Sequence, residues 1–227
     1  MVATCKYRKI MKIGVDLGGT NVRAALVDGT NIVRIEKAPC PAKGTQEEVI
    51  EAIAALIETI ICDEVTSIGM GVPSVVDTAK GIVYNVANIP SWQEVHLKEI
   101  FEKRFGVPVH INNDANCFSL GESRFGQGRG YKDVVGITLG TGVGSGIIIN
   151  GHLYEGRNAG AGEIGCLSYL DKDYETYCST PFFVAHNTTG AELSAKAKAG
   201  DAEAQALWDE FGHHLGVRAC SIVSISL

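Results

Sequence analysis

Two carboxylates and two glycine-rich turns carry most of the chemistry that this chain could do. Asp114 stands in Pro108-Val-His-Ile-Asn-Asn-Asp-Ala-Asn116, where a short strand runs straight into a helix. A carboxylate on such a junction has the rigid mounting that a general base needs, although alone it reads equally well as a helix N-cap. The flanking amides of Asn113 and Asn116, side chains suited to reading hydroxyl groups, favour the base. The other carboxylate, Asp16, opens the turn Asp16-Leu-Gly-Gly-Thr-Asn-Val-Arg23. Glycines there let backbone N–H groups curl around an anion with no Cβ in the way.

That turn occurs twice. Lys12-Ile-Gly-Val-Asp-Leu-Gly-Gly-Thr-Asn-Val-Arg-Ala-Ala-Leu-Val-Asp-Gly29 lies over Val134-Val-Gly-Ile-Thr-Leu-Gly-Thr-Gly-Val-Gly-Ser-Gly-Ile-Ile-Ile-Asn-Gly151 without a gap, so that Gly14 falls on Gly136, Gly18 on Gly140 and Gly29 on Gly151. Each copy reads as strand, tight turn, strand, and then an Asp-Gly or Asn-Gly turn that closes a two-residue hairpin. One such hairpin is an ordinary structural turn; two in register could grip the phosphates of one nucleotide from both sides, as phosphoryl transfer requires. No Walker A motif occurs, and Gly140-Thr-Gly-Val-Gly-Ser-Gly146 does not fit the dinucleotide spacing G-x-G-x-x-G.

The elements that would carry these groups alternate between strand and helix, which gives an α/β class. Thr45-Gln-Glu-Glu48 is a capping box opening a helix with Val49, Ile53, Leu56, Ile57 and Ile60 on its apolar face. A strand follows over 67–72, and Val83 to Trp92 reads as a surface loop around Pro90. Glu94 to Phe105 has helical spacing, and a helix from Asp114 through Arg124 ends at the flexible segment Gly126-Gln-Gly-Arg-Gly130. Ala191 to Leu227 is largely helical, with Gly200-Asp201 as a break and N-cap. The division expected from this pass is an N-terminal sugar and phosphate lobe over 11–117, preceded by an extension over 1–10, and a C-terminal nucleotide lobe over 118–227.

Composition narrows the partners. At 227 residues and a net charge of −6, the chain has no basic stripe for a nucleic-acid backbone, whereas a small anionic ligand needs only a few local donors. Its seven cysteines are odd in number and scattered without a C-x-x-C pair, the usage of free cytosolic thiols that serve as small core residues. No apolar run reaches membrane-spanning length, and 1–9 lacks the apolar stretch of a secretory signal, so a cytoplasmic location is expected.

The order of motifs resembles the ROK family (repressor, open reading frame, kinase), in its glucokinase-like branch. The matching stretches are Asp16 to Arg23, Gly71-Val-Pro73 with Val76-Asp77, Asn88-Ile-Pro-Ser-Trp92, Asn113-Asp-Ala-Asn116, Leu139 to Gly144 and Ala161-Gly-Glu-Ile-Gly165. The resemblance implies a two-lobed ribonuclease H-like, actin-like ATPase fold of hexokinase type with a central cleft, and the transfer of the ATP γ-phosphoryl group to a hexose hydroxyl. It implies Asp114 as the catalytic base. It also implies Asp16, Gly18, Gly19 and Thr20 as the first phosphate motif and Gly140, Thr141, Gly142 and Gly144 as the second, with Asp16 serving Mg²⁺ indirectly. Asn88, Asn113, Asp114, Glu163 and Glu175 are implied as sugar contacts, and a homodimer is common in the family. A helix-turn-helix repressor is disfavoured, because no such domain fits before Met11.

The chain departs from the family pattern in two places. Gly165 is followed by Cys166 where the family has His, and Asp171-Lys-Asp-Tyr174 replaces a cysteine cluster, so structural zinc is expected to be absent. Ser74 and Ser145 replace smaller residues usual in the family. Family members continue beyond this point, so the tail Ala219 to Leu227 is expected to be an unfinished apolar helix, with His213 and His214 on its surface. A catalytically weak, regulatory sugar-binding relative is therefore the alternative function.

Overall fold

The computed structural model describes residues 10–157 and 159–226, with side chains at 218 and 220–226 excepted. Residues 1–9 of the expected extension over 1–10, and the side chains of the apolar tail from Cys220 onward, lie outside the described residues. The chain forms two compact units, one of residues 1–134 with 146–161 and the other of residues 135–145 with 162–227.

In the first unit, β1 (Met11–Leu17), β2 (Asn21–Asp28) and β3 (Asn31–Pro39) make an antiparallel meander, followed by α1 (Gln46–Glu58) and β4 (Val65–Val72). Three short strands, β5 (Val75–Asp77), β6 (Ile82–Tyr84) and β7 (Glu94–Val95), form a small antiparallel sheet. Then come α2 (Leu97–Phe105), β8 (Val109–Asn113) and α3 (Asp114–Phe125). The main sheet has the order β3-β2-β1-β4-β8, with β4 parallel to both β1 and β8.

Strand alternation decides which face of this sheet is core. Ile13, Val15 and Leu17 of β1, Val22 and Ala24 of β2 and Ile68, Met70 and Val72 of β4 are buried together with Val49, Ile53 and Ile57 of α1 and Phe101 of α2. The expected capping box on α1 is present, with Thr45 Oγ1 accepting from Glu48 N at 3.2 Å and Glu48 Oε2 accepting from Thr45 N at 2.7 Å. On the opposite face Lys12, Gly14 and Asp16 are exposed. At the sheet's edge, β3 leaves Ile32 62%, Val33 52% and Ile35 55% exposed.

Two sequence expectations are corrected here. The stretch Val83 to Trp92 is no surface loop: Val83, Val86, Ile89 and Trp92 are all buried in the core. Turn bonds from Ile89 N to Val86 O and from Trp92 N to Ile89 O, each 2.9 Å, wind it with a three-residue pitch that turns every third side chain inward. The segment Gly126 to Gly130 is a tight turn tied to Glu122, which accepts from Gly126 N at 3.0 Å and Gly128 N at 3.1 Å. The α3 helix packs on β4 and β8 and belongs to the first compact unit.

The repeated hairpin continues the chain as β9 (Val134–Leu139), β10 (Val143–Ile149) and β11 (His152–Tyr154), the counterparts of β1, β2 and β3, in the sheet order β11-β10-β9. The expected Asn150-Gly151 loop forms between Ile149 and His152, whereas the first hairpin turns one residue later than the expected Asp28-Gly29, with Asp28 paired to Asn31 and Gly29-Thr30 as its loop. Asn150 at φ 52° and Gly151 at φ 77° are both left-handed, as a hairpin loop of this twist requires.

In the second unit a 3₁₀ turn (Ile164–Cys166) leads to the hairpin β12 (Ser168–Tyr169) and β13 (Lys172–Asp173), then α4 (Tyr174–Cys178), α5 (Thr180–Ala185), α6 (Gly190–Lys198) and α7 (Ala202–Ser226). Asp201 caps α7 as expected, accepting from Ala204 N at 3.0 Å. His213 is exposed, but His214 is 8% exposed and not a surface residue. Its Nδ1 lies 2.9 Å from the Tyr169 hydroxyl, and its ring packs among Tyr169, Tyr177 and Phe182. No helix among the described residues is long and apolar enough to cross a membrane.

Candidate active site

Backbone pairing lines up the groups of the first unit. Asp16 sits opposite Arg23 on β2 and Gly71 on β4, and Gly71 sits opposite Asn112 on β8, so one row crosses four strands. The adjoining row is Ala25, Gly14, Gly69 and His110, whose small residues floor a cavity of about 710 Å³ bordered by Asp16, Arg23, Cys117 and Glu155. Asp16 and Arg23 approach to 3.4 Å, each 59% exposed. An ion pair this exposed adds little to stability, so both groups are available to a ligand.

The first glycine turn closes through Gly18 N donating to Asn21 O at 2.9 Å, and the Thr20 carbonyl accepts from Cys40 N at 3.0 Å. Gly19 lies against Asn88: a Cβ there would stand 2.7 Å from the Asn88 Cβ. Asn88 is itself exposed between the buried anchors Val86 and Ile89, so the wound segment delivers it to the first turn.

Asp114 is the first residue of α3, and the N-cap is Asn113. Asn113 Oδ1 accepts from Ala115 N at 2.9 Å and Asn116 N at 3.2 Å, while its Nδ2 donates to Ser74 O at 3.3 Å. Helix capping therefore falls to Asn113 Oδ1, and since Ala115 N also reaches Asp114 Oδ1 at 2.9 Å, a second Nδ2 hydrogen of Asn113 and Oδ2 of Asp114 are left for other work. Burial raises the Asp114 pKa above the ordinary carboxylate value; the charge of Asp16 adds to the rise, and a hydrogen bond from Ala115 N opposes it. One turn on, Cys117 is an exposed residue, yet its Sγ lies 3.6 Å from where a Gly71 Cβ would stand. Burial of that thiol, then the charges of Asp114 and Asp16, push its pKa up to about 11.

Sequence reasoning missed Glu155. It accepts from Asn112 Nδ2 at 2.7 Å and from Thr78 Oγ1 at 3.1 Å. Asn116, expected to read hydroxyls, is buried and donates to Asn112 Oδ1 at 3.1 Å, which makes it part of this internal network. Nothing local in Leu153-Tyr-Glu-Gly156 announces a partner more than forty residues away; the only signal is an acidic residue following a strand.

In the second unit the glycine turn Gly140 to Gly144 is held from behind by α4 and α5. The Gly140 carbonyl accepts from Thr180 N at 3.1 Å and Thr180 Oγ1 at 2.8 Å, and the Thr141 carbonyl from Ser179 Oγ at 3.3 Å. Val143 N donates to Glu175 Oε2 at 2.9 Å. A Cβ on Gly142 would be driven into that same carboxylate, which explains the glycine. Glu163 stands exposed at the head of the 3₁₀ turn, after Gly162, whose φ is 93° and whose carbonyl accepts from Ser145 Oγ at 2.6 Å. Ser145 thus fixes the approach to Glu163.

Glu163 and Glu175 come to one neighbourhood. Both raise the pKa of the Cys166 thiol, after burial, and a Cβ on Gly165 would stand 3.4 Å from Glu175 Oε2. Asn88, Asn113, Asp114, Asp16 and Gly18 to Thr20 belong to the first unit, and Gly140 to Gly144, Glu163 and Glu175 to the second. Among the described residues no group of three His, Cys, Asp or Glu side chains is placed to hold a metal ion.

A family model described as the ROK family matches residues 12–226. A glucokinase of Streptomyces coelicolor is 41% identical over 157 residues, which is 68% of this chain and 49% of that protein. A glucokinase of Thermotoga maritima is 40% identical over 160 residues, 69% of this chain and 50% of that protein. Among solved structures, a ROK family glucokinase from Streptomyces griseus in complex with glucose and AMPPNP superposes with a TM-score of 0.80 at 32% identity, covering 95% of this chain and 80% of that one. The chain spans about half the length of the curated relatives it matches.

Proposed function

The chain belongs to the ROK family and has the α/β actin-like ATPase fold of its glucokinases and hexokinases, and from that premise we propose that it serves in ATP-dependent phosphoryl transfer to a hexose hydroxyl. The observation that carries this reading is Asp114. It is a carboxylate at the first position of α3, with its pKa raised by burial and by Asp16, while its neighbour Asn113 takes over the capping duty. A raised pKa makes a carboxylate a stronger base near neutral pH, which suits it to accept the hydroxyl proton.

In this reading the first turn, Asp16, Gly18, Gly19 and Thr20, and the second, Gly140, Thr141, Gly142 and Gly144, hold the phosphates through backbone N–H groups. Such donors supply the neutralisation on which phosphoryl transfer depends. Mg²⁺ favours hard oxygen ligands and retains water, and the exposed Asp16 carboxylate, 59% accessible, fits that role. Mg²⁺ bound there would neutralise phosphate charge. Asn88 and Asn113 on the first unit and Glu163 and Glu175 on the second are the proposed sugar contacts.

The test is sugar-dependent ADP release by the full chain across glucose, mannose and N-acetylated hexoses. Release on at least one hexose, lost with Asp114→Asn, supports the proposal. A hexose that binds without any ADP release would assign the chain to sugar binding alone.

A further inference from the structure

Residues Glu175 to Thr180 form one short stretch that grips the second glycine turn at three points. Thr180 holds the Gly140 carbonyl, Ser179 the Thr141 carbonyl and Glu175 the Val143 N–H. The stretch is stiff. Asp173 Oδ1 caps α4 by accepting from Thr176 N at 2.8 Å and Thr176 Oγ1 at 2.6 Å, and the single hydroxyl hydrogen of Ser179, a residue only 2% exposed, is shared between Glu175 O at 2.7 Å and Thr141 O at 3.3 Å. At its base Tyr174, 1% exposed, donates from its hydroxyl to Leu215 O on α7 at 3.2 Å. A displacement of the Glu175 carboxylate therefore passes to the turn instead of being absorbed by the helix.

Glu175 is also an exposed residue, and with Oε2 engaged by Val143 N, Oε1 is the oxygen that would accept from a ligand hydroxyl in the sugar-contact role proposed for it above. We propose that Glu175 to Thr180 is a coupling strut, by which a hexose hydroxyl on Glu175 sets the shape of the Gly140 to Gly144 turn and so raises its affinity for nucleotide phosphates. Ser179 and Thr180 are its positioning residues. This rests on the kinase reading, and linkage requires the nucleotide to tighten hexose binding by the same factor.

Thr180→Val keeps the shape of the side chain and the Thr180 N–H bond but removes the Oγ1 donor, and Thr180→Ser restores that donor. Two measurements on the full chain test the strut: calorimetric titration of AMPPNP with and without saturating glucose, and hydrogen exchange of the turn amides in ligand-free protein. In the native chain glucose should tighten AMPPNP by about fivefold or more. In Thr180→Val that ratio should fall toward one, with glucose affinity alone changed by no more than about twofold and faster exchange at 141–144, and Thr180→Ser should recover both. A native coupling ratio in Thr180→Val, or no coupling in the native chain, overturns the strut. Failure of the kinase reading looks different: neither glucose nor AMPPNP binds although Thr180→Val still speeds exchange, which removes the ligand assignment and the coupling together.

Discussion

Asp114 and Gly142 show how single positions carry the site. If Asp114 takes the hydroxyl proton, Asp114→Asn keeps the hydrogen-bonding shape and loses the basicity, and kcat should fall by roughly 10²–10⁴. The base works deprotonated, so the rate falls as pH drops through its pKa. Because burial and Asp16 raise that pKa, the acid limb of kcat/KM should lie above the value of about 4 for an ordinary carboxylate. A flat profile down to pH 4 would place the proton elsewhere. Gly142→Ala drives a methyl group into the Glu175 carboxylate, and overpacking of this kind costs about 1–3 kcal/mol. It should appear as a lower urea midpoint with weakened AMPPNP binding; an unchanged midpoint would show that the turn yields freely.

At the scale of elements, the wound segment from Val83 to Trp92 joins core to site, because the buried Ile89 holds its exposed neighbour Asn88 against Gly19. Ile89→Ala should cost about 2–5 kcal/mol and raise the KM for hexose more than it lowers kcat. Unfolding curves with steady-state kinetics check this, and stability loss with an unchanged KM would leave the segment structural only. This element also shows where the sequence stops being legible. Capping boxes and glycine hairpins are local patterns, and Thr45 with Glu48, Asn150-Gly151 and the paired strands all stand where the sequence places them. A three-residue apolar pitch inside a polar, proline-bearing stretch matches neither the helical nor the strand period, so Val86 and Ile89 looked exposed. Partners distant in sequence, such as Glu155 with Asn112 and Tyr169 with His214, have no local signature at all. Both glycine turns and the Asp114 junction were legible from spacing, whereas the Asn113 cap and the clasp of Ser179 and Thr180 needed coordinates.

For the whole molecule, the two units differ in how they are built. The first buries a continuous layer between its main sheet and the α1 and α2 helices, while the second rests on a smaller cluster around Tyr169, Tyr174 and Cys178 with aromatic contacts from Phe182 and Phe211. Local opening follows such differences in burial, so amides of β1 and β4 should exchange more slowly than those of α4 to α6 in native-state hydrogen exchange. Equal protection in both would show a single cooperative unit. Elemental analysis bears on the departure at Cys166: the chain as purified should carry no stoichiometric zinc, and a chelator should leave its melting temperature unchanged apart from Mg²⁺ effects. The edge strand β3 bears on a matter outside catalysis. With Ile32, Val33 and Ile35 exposed on a strand whose outer side pairs with no other strand among the described residues, it is a template on which another extended chain can dock, and light scattering should rise with protein concentration in the absence of any ligand. A lysine at Val33 would act as a gatekeeper there, and Val33→Lys should lower light scattering in concentrated solution while leaving the sheet's buried face untouched.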